Sequence, residues 1–139
     1  MKFLVCYDET NAARKALKVA REHAKIWQAE LEVVNATTRV EPLKYAKVKK
    51  MEEKMEGEVR QILAEDAPPY EVQLLLTDLT PGEQLVKFAE DQEMDLIFLG
   101  IVKKSKVEKL LFGSTAQYVI LHAPCPVVTV QQRDEPKMS

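Results

Sequence analysis

Five short apolar runs, separated by longer segments of helical period, restrict the folds open to this 139-residue chain more than any single motif does. The runs are residues 3–7, 31–34, 72–76, 96–99 and 127–130. The first, third and fourth are nearly continuous in apolar residues, as in strands buried on both faces of a parallel sheet. Over residues 10–28, Ala13, Leu17, Ala20, Ala24 and Trp27 fall three or four apart and make one apolar stripe. Residues 43–66 repeat the pattern with Val48, Met51, Met55, Val59 and Ile62, with Lys and Glu opposite, and stop before Pro68-Pro69. The third helix has the clearest start: Thr80 as N-cap, Pro81 at the first position and Glu83 completing a capping box. Leu85, Phe88 and Ala89 are its inward face. A fourth covers residues 114–122, turns Ala116, Val119, Ile120 and Ala123 inward, and ends at Pro124. The alternation predicts an α/β fold: a five-stranded parallel sheet of order 3-2-1-4-5 with right-handed crossovers and helices on both faces, a Rossmann-like arrangement. Residues 1–131 form its one domain, and residues 132–139 a polar, fraying tail.

In such a sheet a ligand sits beyond the carboxyl ends of the strands, where the strand order reverses. That place lies between the first and fourth strands, and Asp8 follows the first while Gly100 follows the fourth. After Gly100 comes a polar loop holding Lys103, Lys104, Ser105, Lys106 and Lys109, and then Gly113-Ser114-Thr115 opens a helix. Glycine lets backbone approach a ligand closely, and the unpaired N–H groups of a helix's first turn favour an anion. The Ser114 hydroxyl and the Ser114 and Thr115 amides would donate to phosphate, with Ser105 as a further donor. Plain structural readings stand beside these. Asp8 could cap the helix ahead of Thr10, Gly113 and Ser114 could be an ordinary N-cap, and the lysines could be a solvated stretch.

Composition removes several classes. With 46% apolar and 30% charged residues a core is available, and a net charge of −2 gives no reason to expect nucleic acid or an acidic membrane surface. No aromatic residue interleaves with the lysines, which also argues against RNA or DNA. No apolar run is long enough to span a bilayer, and the first apolar run is cut off at Asp8, too short for a signal peptide. A cytoplasmic location is the expectation, with Cys6 and Cys125 as buried thiols. His23 and His122 have no metal-ligand spacing and read as structural. A Gly-x-Ser-x-Gly elbow and a Walker P-loop are both absent, and no general base stands out, so an enzyme is not expected.

Val5-Cys6-Tyr7-Asp8, the run from Met94 to Gly100, Gly113-Ser114-Thr115-Ala116 and His122-Ala123-Pro124-Cys125-Pro126-Val127-Val128 together resemble the universal stress protein family over nearly the whole chain. Ala-Pro-Cys-Pro-Val is among the family's most recognisable phrases. The resemblance implies binding of ATP or AMP through Gly-x2-Gly-x9-Gly-[Ser/Thr], which Gly100 and Gly113-Ser114 match with the spacing intact. The middle glycine is Lys103. A side chain thus stands where the family has a bare Cα, although an ammonium can itself pair with phosphate oxygens. The resemblance further implies that Asp8 approaches the ribose or a metal (magnesium), that backbone near Ala36 reads the adenine edge, and that the protein is a homodimer through its last strand. Two functions are therefore open. One is a nucleotide-binding module of stress response or regulation that acts by binding. The other is a dimeric interaction or scaffold protein that has lost the nucleotide because of Lys103. Residues 37–50 could serve as a lid or a dimer contact.

Overall fold

Strand β1 (Lys2–Cys6) lies at the centre of the sheet because all but its first residue are apolar and fully covered. On one side it pairs in parallel with β2 (Glu30–Thr38), and β2 pairs in parallel with β3 (Tyr70–Thr77). On the other side it pairs in parallel with β4 (Leu96–Lys104), as β4 does with β6 (Val127–Asp134). The five parallel strands run β3-β2-β1-β4-β6, the order expected from the sequence. A short β5 (Lys109–Leu111) adds an antiparallel pair to residues 102–104 of β4. Those three residues also pair with β6, so β5 takes the opposite edge of β4 and continues the line of β1 beyond its carboxyl end. The computed structural model describes residues 1–39, 42, 44–104, 109–111 and 113–134.

Helices α1 (Asn11–Trp27) and α2 (Tyr45–Leu63) cover one face. There Phe3, Val5, Tyr7, Leu31, Val33 and Phe98 meet Leu17, Ala20, Met55 and Val59. On the other face α3 (Pro81–Asp91) and α4 (Ser114–His122) pack Leu85, Ala89, Ala116 and Val119 against Leu4, Cys6, Val34, Ile97 and Leu99. Alternate residues of β1 thus enter different cores, as the two-residue strand period requires. The α3 start is as the sequence predicts. Thr80 Oγ1 accepts from the Glu83 amide at 3.3 Å, and the Glu83 carboxylate accepts from the Thr80 amide at 3.2 Å, a complete capping box behind Pro81.

Two strand ends and several helix positions differ from the expectation. The fourth strand does not end at Gly100 but continues to Lys104, because β5 and β6 give it partners on both edges. The last strand likewise continues past Val130 to Asp134. Trp27 is 59% exposed: α1 ends there, and Gln28, at φ 54°, turns the chain towards β2 before the ring can reach the sheet. Met51 and Ile120 are exposed as well. The buried residues of α2 are Met55, Val59 and Leu63, all in its second half, while in the first half Val48 is only half-buried and Met51 exposed.

His23 and His122 are both built into helices. His23 Nδ1 lies 2.9 Å from the Val19 carbonyl oxygen with its ring against Phe98, and His122 stacks on Tyr118 at 4.3 Å. Cys6 is buried and Cys125 half-buried, both as free thiols.

Candidate functional site

A cavity of about 380 Å³ opens at the carboxyl ends of β1, β2 and β4, where the strand order reverses. The sequence places a binding crevice there, and six of the expected site residues come together on it: Asp8, Ala36, Gly100, Gly113, Ser114 and Thr115. Chain segments far apart in sequence therefore share one hollow. Lys103 is placed only by its backbone, which pairs with Leu110 on one side and Arg133 on the other. Its side chain, and the whole of Ser105 and Lys106, lie outside the described residues.

Asp8 leaves β1 and serves two purposes. Its Oδ1 accepts from the Thr10 hydroxyl at 2.6 Å and from the Thr10 amide at 3.2 Å, while the Thr10 side chain caps α1 by accepting from the Ala13 amide at 3.1 Å. Thr10 and not Asp8 is thus the N-cap of α1; Asp8 holds that cap in place, and the same exposed carboxylate also lines the cavity. Between them Glu9 adopts φ 66°, a left-handed conformation that a non-glycine residue holds only when its surroundings impose it. Opposite stands the start of α4. Gly113 is its N-cap and supplies no side-chain oxygen, so among the described residues no side chain caps the first-turn amides of α4, and Gly113, Ser114, Thr115 and Ala116 line the cavity. That geometry favours an anion.

The two glycines differ in what they are for. A Cβ on Gly100 would come within 2.4 Å of the Ala12 carbonyl carbon and oxygen, so Gly100 lets the first turn of α1 press onto β4. A Cβ on Gly113 would meet nothing within 4 Å. The protein itself therefore requires glycine at Gly100 and leaves Gly113 facing open space.

The remaining wall is an apolar slot of Val34, Leu85, Leu99, Ile101 and Val102 with Asn35 at its edge. Asp8 is the one charged side chain among the described residues that line it. Cys6 also lines the slot, and burial, reinforced by the nearby Asp8 charge, pushes its thiol up to about 12, which keeps it a neutral hydrophobe. Among the described residues no three His, Cys, Asp or Glu side chains stand together to hold a metal. The sequence reading missed Asn35, Pro81 and Leu85. Asn35 could have been found, because it follows the last buried residue of β2 where that strand meets the crevice. The α3 residues reach the cavity only through the packing of α3 on the sheet.

Residues 1–131 match the family described as the universal stress protein family. A universal stress protein of Thermus aquaticus, encoded in the 3′ region of a QAH/OAS sulfhydrylase gene, is 33% identical, over 92% of this chain and 96% of that protein. The solved structure of a universal stress protein from Archaeoglobus fulgidus superposes with a TM-score of 0.79 at 28% identity, covering 94% of this chain and 98% of that one. The universal stress protein structure from the same organism in complex with dAMP superposes with a TM-score of 0.72 at 24% identity, covering 94% and 97%.

Proposed function

The chain belongs to the universal stress protein family, and from that premise we propose that it is a cytoplasmic adenine-nucleotide-binding protein of stress response or regulation, acting by occupancy rather than turnover. One observation carries this reading: an uncapped helix start and a carboxylate face each other across an apolar slot of nucleotide size. The base would lie in the slot against Val34 and Ala36, which line it. Asp8 would accept from the ribose hydroxyls, and the α4 amides with Ser114 would hold the phosphates. That the Archaeoglobus fulgidus protein is seen with dAMP supports the same ligand class here.

Magnesium fits this site in one way. Asp8, whose Oδ1 accepts from the Thr10 hydroxyl, is the one side chain among the described residues here that would hold it, and a single carboxylate would do so only with the nucleotide's phosphates as further ligands. It would then offset the repulsion between Asp8 and a polyphosphate. Bound nucleotide would act by favouring one conformational or partner-binding state over another.

Thermal unfolding with ATP, ADP and AMP, with and without magnesium, tests the proposal. Nucleotide at about a hundred times its Kd should add about 2.7 kcal/mol of stability. No shift with any of the three at millimolar concentration overturns it. Phosphate release equal in wild type, Asp8→Ala and Ser114→Ala would assign any apparent ATPase activity to contamination.

The second reading, a scaffold that has lost the nucleotide, is favoured by the backbone of β4. Residue 103 stands in the sheet with a partner strand on each side rather than in a glycine loop wrapped around phosphate. Lys103→Gly and Lys103→Ala separate the readings. If the glycine variant gains ATP binding that the wild type lacks, the scaffold reading holds. If the alanine variant loses binding that the wild type has, the lysine does the work of the glycine.

A further inference from the structure

We infer that Glu58, on α2 and outside the cavity, is a positioning residue for the Asp8 wall of the site, because one of its carboxylate oxygens holds the chain on both sides of Asp8. The inference rests on the nucleotide reading above. Glu58 Oε1 accepts from the Tyr7 hydroxyl at 2.9 Å and from Arg14 Nη2 at 3.2 Å. Tyr7 immediately precedes Asp8 and is almost wholly buried, and Arg14 lies in the first turn of α1, where its amide donates to the Thr10 carbonyl at 3.0 Å. Arg14 Nη1 also donates to Asn11 Oδ1 at 3.2 Å. The segment that presents Asp8 is therefore tied at its entrance and at its exit to the same atom of a third element.

Two further observations point the same way. Glu9 lies inside the clamped segment at φ 66°, a strained conformation for a non-glycine residue that persists only where neighbours over-determine it. Lys54, one turn before Glu58 on the same face of α2, brings its ammonium to 3.9 Å from the Glu9 carboxylate. Burial, and then the bond to Glu58, push the Tyr7 hydroxyl up to about 12, so it stays protonated as the donor at neutral pH. The first half of α2 is largely exposed, whereas its second half is packed and carries the clamp. Helix α2 thus reaches the Asp8 segment through Glu58 and Lys54.

A double-mutant cycle decides whether Glu58 acts through Asp8. AMP and ATP affinities are measured by calorimetry for the full chain, Glu58→Ala, Asp8→Ala and the double variant. Glu58→Ala should weaken binding about tenfold in the wild-type background and less than twofold when Asp8 is already alanine. Tyr7→Phe, which removes one oxygen and leaves the ring packed, should reproduce part of the loss should Glu58→Ala fold poorly. Glu58→Gln, whose amide oxygen can still accept from Tyr7, should fall between Glu58→Ala and wild type. Equal weakening in both backgrounds, or none in either, overturns the inference.

A ligand-free measurement separates this inference from the nucleotide reading. Amides of residues 8–10 should exchange faster with solvent in Glu58→Ala while those of residues 114–116 keep their wild-type rates. If the wild type binds no nucleotide, the functional reading fails, and exchange alone decides the positioning role. Unchanged exchange at residues 8–10 overturns it.

Discussion

Gly100 and Gly113 border the same cavity and answer to different neighbours. Ala12 backbone leaves no room for a Cβ at Gly100, so Gly100→Ala must move α1 off the sheet or bend β4, at a cost of about 2 kcal/mol or more in urea unfolding. Gly113→Ala meets no atom of the described residues within 4 Å and keeps an ordinary φ of −66°, so its unfolding free energy should change by less than about 0.5 kcal/mol. If the open space beside Gly113 is where phosphate sits, the same alanine should weaken AMP binding despite normal stability. The spacing of the two glycines marks the correct place in the sequence. It cannot tell the packing glycine from the ligand-facing one, because the atom that demands the first belongs to a distant helix. A different residue-scale effect is seen at Glu32, half-buried in β2 and paired in register with Glu71. Burial first, and the Glu71 charge second, raise its carboxyl above the ordinary 4.5. The folded state then binds the proton more readily than the unfolded chain, so this group favours folding as pH falls through its folded value and disfavours folding above it. Glu32→Gln, which can still accept from Gln73, should raise the melting temperature at pH 7 by an amount worth up to about 0.5 kcal/mol. That gain should vanish below the unfolded carboxyl value, and a gain independent of pH would refute the assignment.

Legibility at the scale of elements follows how local the determinants are. Helix α3 is readable to the residue because Thr80, Pro81 and Glu83 carry its start within four positions; α1 is less so, because Asp8 reads as a cap while Thr10 is the one that bonds the helix amide. Helix α2 has no such marker: Lys44 is its N-cap and offers no side-chain bond. Its apolar period runs unbroken through Val48 and Met51 although burial begins only at Met55, since periodicity reports which face is apolar and not whether anything covers it. The extension of β4 through Lys103 and Lys104 was hidden for a related reason. Lysines after a glycine read as loop, and the partners that make them strand come from β5 and β6. Inside α2, Gly57 has open space where a Cβ would go and a helical neighbourhood on both sides. Gly57→Ala should therefore stabilise the protein by about 0.5–1 kcal/mol, read as a higher urea midpoint with an unchanged slope. A loss of stability would mean that the glycine serves a bend or a contact of α2 beyond the single chain.

For the whole molecule, the sheet order was legible because right-handed crossovers and the burial of β1 leave few ways to arrange five parallel strands. Assembly is a separate matter, and it turns on the outer edge of β6. This strand pairs with β4 on one side through all eight of its residues, Val127–Asp134, and no other strand pairs with it among the described residues. An edge of that length invites another chain, and natural edges are usually short, charged or covered to prevent it. A second copy could add its own β6 antiparallel about a two-fold axis, which brings each residue near the axis close to its own equivalent. Thr129 and Gln131 are exposed and uncharged on this strand, and Leu121, 76% exposed, lies on the helix that feeds it. We propose that the protein dimerises along this edge. The double variant Thr129→Lys, Gln131→Lys would set like charges against one another across the axis while leaving Val130 in the core. Sedimentation equilibrium should then find the wild type at twice the 15.8 kDa chain mass and the variant at the chain mass in low salt. Partial recovery of the dimer is expected at 1 M salt, where the Debye length falls to about 3 Å. A wild type that sediments as a single chain at every concentration would remove the dimer, and a variant that stays dimeric in low salt would place the interface elsewhere.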